Sequence, residues 1–322
     1  MKVTEHISQA KKSLFSFEIL PPLRGHDLQK IFSTLDPLME FNPPFIDVTY
    51  HREELLYIER QDGFIQKKKL SKRPGTVGIC AAIMNKYGVD AVPHLICGGL
   101  SKQMTENTLI DFNFLGINNV LLIRGDSLHY EKNFNAQEDG HKYAVELVKQ
   151  VKNLNTGQYL DKTLIEKINH NSTLFDFCIG VAGYPEKHFE APNIESDLFF
   201  LKKKIEAGAD YIVTQMFFDN KKYFSFVERC RSKGISVPII PGIKPISSKE
   251  QLNSLPSNFY LSIPNELVIE IEKAKNKDSV SHVGIEWAIH QSQELKNFGS
   301  EIIHYYTMDK PEIIYQVVQS VY

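Results

Sequence analysis

Short apolar runs recur along this chain, each followed by a longer stretch whose apolar positions repeat every three or four residues. The first pattern predicts strands at 14–19, 45–49, 91–97, 120–124, 176–182, 211–215, 237–241 and 302–307. The second predicts helices at 28–41, 77–87, 105–115, 143–152, 194–207, 223–233 and 285–298. Gly208 and Gly234 each stop a helix just before a strand. About eight βα units in roughly 300 residues define the expected fold class: α/β, a (β/α)8 TIM barrel, one domain over 1–322. The polar segment 153–173 interrupts the order and reads as an insertion with one extra short helix. The lysine run 66–73 reads as a solvated loop or helix end.

The predicted strands end in polar groups: Glu18, Thr49, His94, Arg124 with Asp126, Tyr184, Gln215 and Thr307. Packing alone does not explain charge at the end of a buried strand, because uncompensated charge there is costly. In a barrel these ends form one mouth, where active sites sit. An enzyme is therefore expected. No G-x-G-x-x-G follows the first strand and no P-loop motif occurs, which demotes the open-sheet nucleotide folds.

Charge adds little. Lys and Arg total 37 against 39 Asp and Glu, a net charge of -2, so neither nucleic acid nor an anionic membrane is an expected partner. No apolar run approaches the roughly 20 residues of a membrane span, and the polar N-terminus lacks a signal core. Cys80, Cys97, Cys178 and Cys230 show no metal-type spacing. No metal is expected, and a reducing cytoplasm is.

Glu18 lies among Phe17, Ile19 and Leu20, and Pro21-Pro22 blocks further pairing. Desolvation there is expected to raise its pKa, as suits a general acid. The alternative is a carboxylate capping a loop. Arg124-Gly125-Asp126 either lets backbone approach a ligand or closes on itself as an ion pair. His94 inside an apolar strand also fits a satisfied core group. Gln215 can donate and accept, so it can read a heterocycle edge. The adjoining Phe217 and Phe218 fit packing under a loop. One of Lys202, Lys203 and Lys204 could reach a phosphate.

Seven runs, in order, carry a resemblance: SFEILPP at 16–22, DVTY at 47–50, PHLIC at 93–97, IRGD at 123–126, VAGYPEKH at 181–188, GADYIVTQMFFD at 208–219 and IIPGIKPI at 239–246. Together they resemble the methylenetetrahydrofolate reductase family, flavoprotein barrels of one-carbon metabolism. The resemblance implies bound FAD, NADH or NADPH as co-substrate, and ping-pong reduction of methylenetetrahydrofolate to 5-methyltetrahydrofolate. It implies that Glu18 protonates the folate ring nitrogen so that the ring opens to an iminium. Asp126, the second catalytic position, would contact the pterin near the flavin carbonyl edge. Thr49, His94, Arg124, Gly125, Asp126, Tyr143, Ala144, Ala182, Tyr184, His188, Asp197 and Lys204 match FAD contacts. Gln215 and Gln251 match substrate-binding amides, and Lys310 the cation that holds the folate tail.

The chain departs from the family in three places. Phe200 replaces an Asn that contacts FAD, Leu255 an aromatic that stacks on nicotinamide and folate, and Lys310 an Arg. The chain has no room for the C-terminal regulatory domain of eukaryotic relatives, so inhibition by S-adenosylmethionine is not expected. The family forms dimers and tetramers, which implies a homo-oligomer here. Three other readings compete: a proline-dehydrogenase-like flavin barrel, a reductase subunit fed by a partner protein, and a non-catalytic folate-binding paralogue. The first needs paired arginines late in the barrel, where this chain offers Lys310.

Overall fold

Alternation along the first strand fixes the geometry of the whole barrel. In β1 (Leu14–Ile19), Phe15, Phe17 and Ile19 join the apolar layer shared with the helices. Leu14, Ser16 and Glu18 therefore point the other way, into the barrel. The strands β2 (Phe45–Val48), β3 (Glu54–Glu59), β4 (Ile65–Leu70), β5 (Asp90–Ile96), β6 (Asn119–Ile123), β7 (Cys178–Gly183), β8 (Tyr211–Thr214), β9 (Ile239–Ile240), β10 (Gly242–Ile243) and β11 (Ile302–Tyr306) follow. This is a computed structural model, and it describes residues 1–127, 134–161 and 174–322.

The barrel strands pair in parallel in the order β10-β11-β1-β2-β5-β6-β7-β8-β9. β9 and β10 are two halves of one segment, broken at Pro241. Ile239–Ile240 pairs with β8, and Gly242–Ile243 pairs with β11. The carbonyls of Pro238 and Pro241 accept from Ile212 N–H at 2.9 Å and His304 N–H at 2.9 Å, so one segment bonds both neighbours. Eight strand positions thus close the TIM-type ring expected from the sequence.

The barrel interior has an apolar floor and a polar ceiling. Phe45, Val92, Leu121, Cys178, Tyr211, Ile240 and Ile302 form the floor with Val3. Val3 belongs to the short helix Val3–Gln9, which seals the bottom. Its N–H donates to Asn119 Oδ1 at 2.8 Å, and the Met1 ammonium pairs with Asp90 at 2.8 Å. Above this floor come Ser16, Asp47, His94 and His304, all buried.

The expected helix 28–41 is two pieces, Gln29–Leu35 and a 3-10 turn Leu38–Phe41. The helices that begin at residues 102, 220 and 277 start earlier than apolar periodicity suggests, because polar caps precede the periodic residues. Asn276 accepts from Ser279 N–H and opens the helix Lys277–Phe298, eight residues before the expected start. Ser101 does the same for Lys102–Phe114. The expected insertion at 153–173 is corrected at its start, since 153–155 finish the helix Ala144–Asn155. Residues 162–173 of that expectation lie outside the described residues. The lysine run is also corrected: most of it is β4, paired antiparallel with β3 in a hairpin that leaves β2 at the mouth. Period-two apolar alternation is absent from β4, so the sequence pattern misses it.

Helix Lys277–Phe298 crosses the barrel where Gly284 meets the loop after β10. A Cβ on Gly284 would sit 1.8 Å from the Ile246 carbonyl oxygen. Backbone cannot yield as a side chain can. Gly284→Ala is therefore expected to destabilise the protein by about 3 kcal/mol or more, read as a lower urea midpoint at unchanged slope.

Candidate active site

Glu18 stands at the mouth end of the polar ceiling, its side chain 15% exposed. Its Oε2 lies 3.5 Å from His304 Nε2 and 3.7 Å from His94 Nε2. His94 Nε2 also lies 3.4 Å from Asp47 Oδ1, and His304 Nδ1 is 2.8 Å from Ser16 Oγ. Two carboxylates and two imidazoles from four strands thus share one water-poor chamber. Among the described residues, Asp47 Oδ2, His304 Nε2 and the Tyr211 hydroxyl have no hydrogen-bond partner.

This chamber reverses the expected pKa shift of Glu18. Burial pushes the carboxyl up, as expected, but the adjacent His304 imidazole and the charges of His94 and His51 outweigh it. The net direction is downward. His304 moves the opposite way: burial lowers its pKa, but Asp47 and Glu18 raise it further. Both directions favour the ionised pair, with the proton on the imidazole and the carboxylate 3.5 Å away. The sequence missed this because β11 lies almost 300 residues from β1.

A second group of side chains surrounds a cavity of about 310 Å³ beside Arg124. It gathers Arg124, Tyr143, Ala144, Ala182, Tyr184, His188, Asp197 and Lys204, eight of the twelve positions matched to FAD, together with Phe200. Lys204 Nζ donates to the Ala182 carbonyl at 2.6 Å, and burial lowers its pKa to about 8. Asp197 accepts from His188 N–H at 2.9 Å, and burial pushes its carboxyl up. His188 falls to about 4, through burial and the Arg124 charge, so its imidazole is neutral. Arg124 pairs with Glu190, not with Asp126, so the self-closed loop reading does not hold.

Gly125 and Asp126 line an adjoining cavity of about 450 Å³, with Tyr50, His51, Arg52 and the foot of the hairpin. Gly125 adopts a φ of 79°, and a Cβ there would press on Ile96 at 3.2 Å. Thr49 Oγ1 donates to the Ile19 carbonyl at 3.3 Å and ties the β2 exit to Glu18's strand. His94 lies below the mouth, against Glu18 and Asp47.

Gln251 and Lys310 meet across a third cavity, of about 170 Å³. Lys310 Nζ donates to Ser247 Oγ at 2.7 Å, and Gln251 Oε1 accepts from Ser247 N–H at 2.7 Å. Gln215 instead folds back on its own chain, accepting from Met216 N–H at 2.9 Å. Leu255 is buried in a satellite core with Met216, Phe218 and Ile246. Asp47, His304 and Lys244 were missed as site residues. A polar residue recurring inside an apolar strand is the signal that would have found the first two.

A parallel eight-strand barrel with one mouth, holding a carboxylate among histidines and flanked by cavities that carry charged side chains, is the framework of a barrel enzyme. The sequence matches the methylenetetrahydrofolate reductase family over residues 2–322, and the chain belongs to that family. It is 30% identical to the 5,10-methylenetetrahydrofolate reductase of Pectobacterium carotovorum, over 94% of this chain and 88% of that protein. It is 31% identical to methylenetetrahydrofolate reductase (NADH) 1 of Arabidopsis thaliana, over 96% of this chain and 49% of that one. The chain spans about half the length of the plant and fungal relatives it matches. Its fold resembles a Clostridium thermocellum protein described as binding two copies of 5-methyl-5,6,7,8-tetrahydrofolic acid. The TM-score is 0.57 at 13% identity, with 99% of this chain and 97% of that one covered.

Proposed function

We propose that this protein reduces 5,10-methylenetetrahydrofolate to 5-methyltetrahydrofolate, with FAD bound at the mouth and NADH or NADPH as reductant. The observation that carries the reading is the Glu18–His304 pair, a stored proton at the mouth of a barrel of this family. FAD, when bound, would carry hydride from the nicotinamide to the folate.

The residues present fit that group. A pyrophosphate needs cations, and Lys204 and Arg124 both face the 310 Å³ cavity. Tyr184 and the neutral His188 ring, centroids 4.8 Å apart, offer aromatic faces and polar tips to a heterocycle. Asp126, on the adjoining wall, would orient the pterin. Glu18 would give the folate ring nitrogen the proton that ring opening requires, and His304 would restore it. The general acid is thus the pair, in place of a single carboxyl with a raised pKa.

The purified protein is expected to be yellow, or to turn yellow with added FAD. Anaerobic NADH or NADPH should then bleach its absorbance near 450 nm, and methylenetetrahydrofolate should restore it. A protein that takes up no FAD would defeat the reading.

Lys310 would grip the folate tail from the 170 Å³ cavity, as a point charge where an arginine offers a fork. A partly exposed contact of this kind contributes about 1 kcal/mol. Lys310→Ala should therefore raise KM for the folate about fivefold and leave kcat near its starting value. A fall in kcat at constant KM would remove Lys310 from the tail.

A further inference from the structure

Lys244 lines the 170 Å³ cavity, and its position is physically expensive. It follows β10, at the mouth end of the split strand, and is only 4% exposed. Among the described residues its ammonium has no hydrogen-bond or ion-pair partner. The one charge that acts on it is another cation, Lys310. Both lysines line the same 170 Å³ cavity, with Ser247, Gln251, Tyr306 and Thr307.

A buried ammonium without a counter-charge is strongly destabilising, and a second ammonium beside it adds repulsion. Burial and Lys310 together bring Lys244 down to about 8, so it is still largely charged at neutral pH. The cavity walls are otherwise neutral. Ser247 holds both Lys310 and Gln251 by hydrogen bonds, so that corner is fixed before any ligand arrives. Two convergent ammonium groups, a fixed amide and an open volume are complementary to an anion.

We infer that Lys244 and Lys310 form a two-ammonium clamp for a dianionic group on a substrate. The inference rests on the proposed function for the source of that group. A glutamate end with two carboxylates and a nucleotide 2′-phosphate share the required chemistry.

Lys244→Met keeps the buried stem and removes the charge, and Lys244→Gln serves should the methionine variant misfold. Lys244→Met should weaken binding of 5-methyltetrahydrofolate about tenfold, and Lys310→Ala about fivefold. The double variant should lose little more than either alone, because both act on one anion. Binding of 5-methyltetrahydropteroate, which lacks the glutamate, should be the same in all of them. A loss confined to NADPH, with NADH unaffected, would support the clamp and assign it to the 2′-phosphate. Unchanged affinity of Lys244→Met for every one of these ligands would overturn it. If the wild-type protein neither bound folate nor took up FAD, the proposed function would fall by itself. Inorganic phosphate would then decide the clamp: a Tm rise in wild type that is lost in Lys244→Met supports it, and an equal rise or none in both overturns it.

Discussion

Glu18→Gln is expected to separate the two half-reactions. Reduction of bound FAD by NAD(P)H needs no acid and should proceed at close to the wild-type rate. Folate reduction needs ring opening and should fall by roughly 100-fold or more. Glutamine fills the same space but removes one partner of the buried pair, so stability should fall by about 1–3 kcal/mol without loss of the fold. The pH profile carries a second test. His304 is raised above the ordinary histidine value by Asp47 and Glu18, against the opposing effect of burial. The stored proton therefore leaves as pH rises through that raised value, and the folate half-reaction should decline on this alkaline side. Removing the Glu18 carboxylate removes one of the groups that raise His304, so any residual rate should decline at lower pH. Equal loss in both half-reactions would make Glu18 structural.

Lys204→Met is expected to weaken FAD binding by about 100-fold, the loss of a charge-assisted contact in a buried site. Lys204 titrates near 8, lowered from 10.5 by burial. Above that value its ammonium loses the proton and with it the attraction for a pyrophosphate. Wild-type FAD affinity should accordingly fall between about pH 8 and 10, and the methionine variant should show no such slope. Stability of the FAD-free protein should move the opposite way. The folded pKa lies below the unfolded one, so unfolding takes up protons in this window and stability rises with pH. Ultrafiltration with flavin fluorescence reads the first trend, and urea midpoints read the second. An FAD affinity indifferent to both the variant and pH would place the pyrophosphate elsewhere.

Much of this site was legible at the ends of strands. Glu18, Arg124, Asp126 and Tyr184 announce themselves because an apolar run stops on a polar residue, and the structure places each at or beside the mouth. Strand bounds came within two residues for the same reason, since alternation is a local signal. What failed was non-local. The pKa of Glu18 depends on histidines delivered by other strands, and no spacing rule links residue 18 to residue 304. The partner of Arg124 is Glu190, beyond the next strand. Lys244 was hidden by its neighbours, because a lysine inside Ile-Ile-Pro-Gly-Ile-Lys-Pro-Ile looks like the end of an apolar run. Hairpin β3–β4 was hidden by charge: Lys67 and Lys68 face solvent, where no core imposes alternation.

The split strand at Pro241 has a kinetic consequence. Pro238 and Pro241 have no amide hydrogen, so this segment offers fewer donors to the ladder than any other stave could. Its closure leans on carbonyls and on two side chains: Thr214 Oγ1, which accepts from Gly242 N–H at 3.0 Å, and the Tyr306 hydroxyl, which donates to the Thr214 carbonyl at 2.8 Å. Such a seam is where a cylinder breathes first. Amide exchange at Ile239, Ile240, Gly242 and Ile243 should outpace that of β5 and β6, and a bound anion that bridges Lys244 to Lys310 would latch the two edges together.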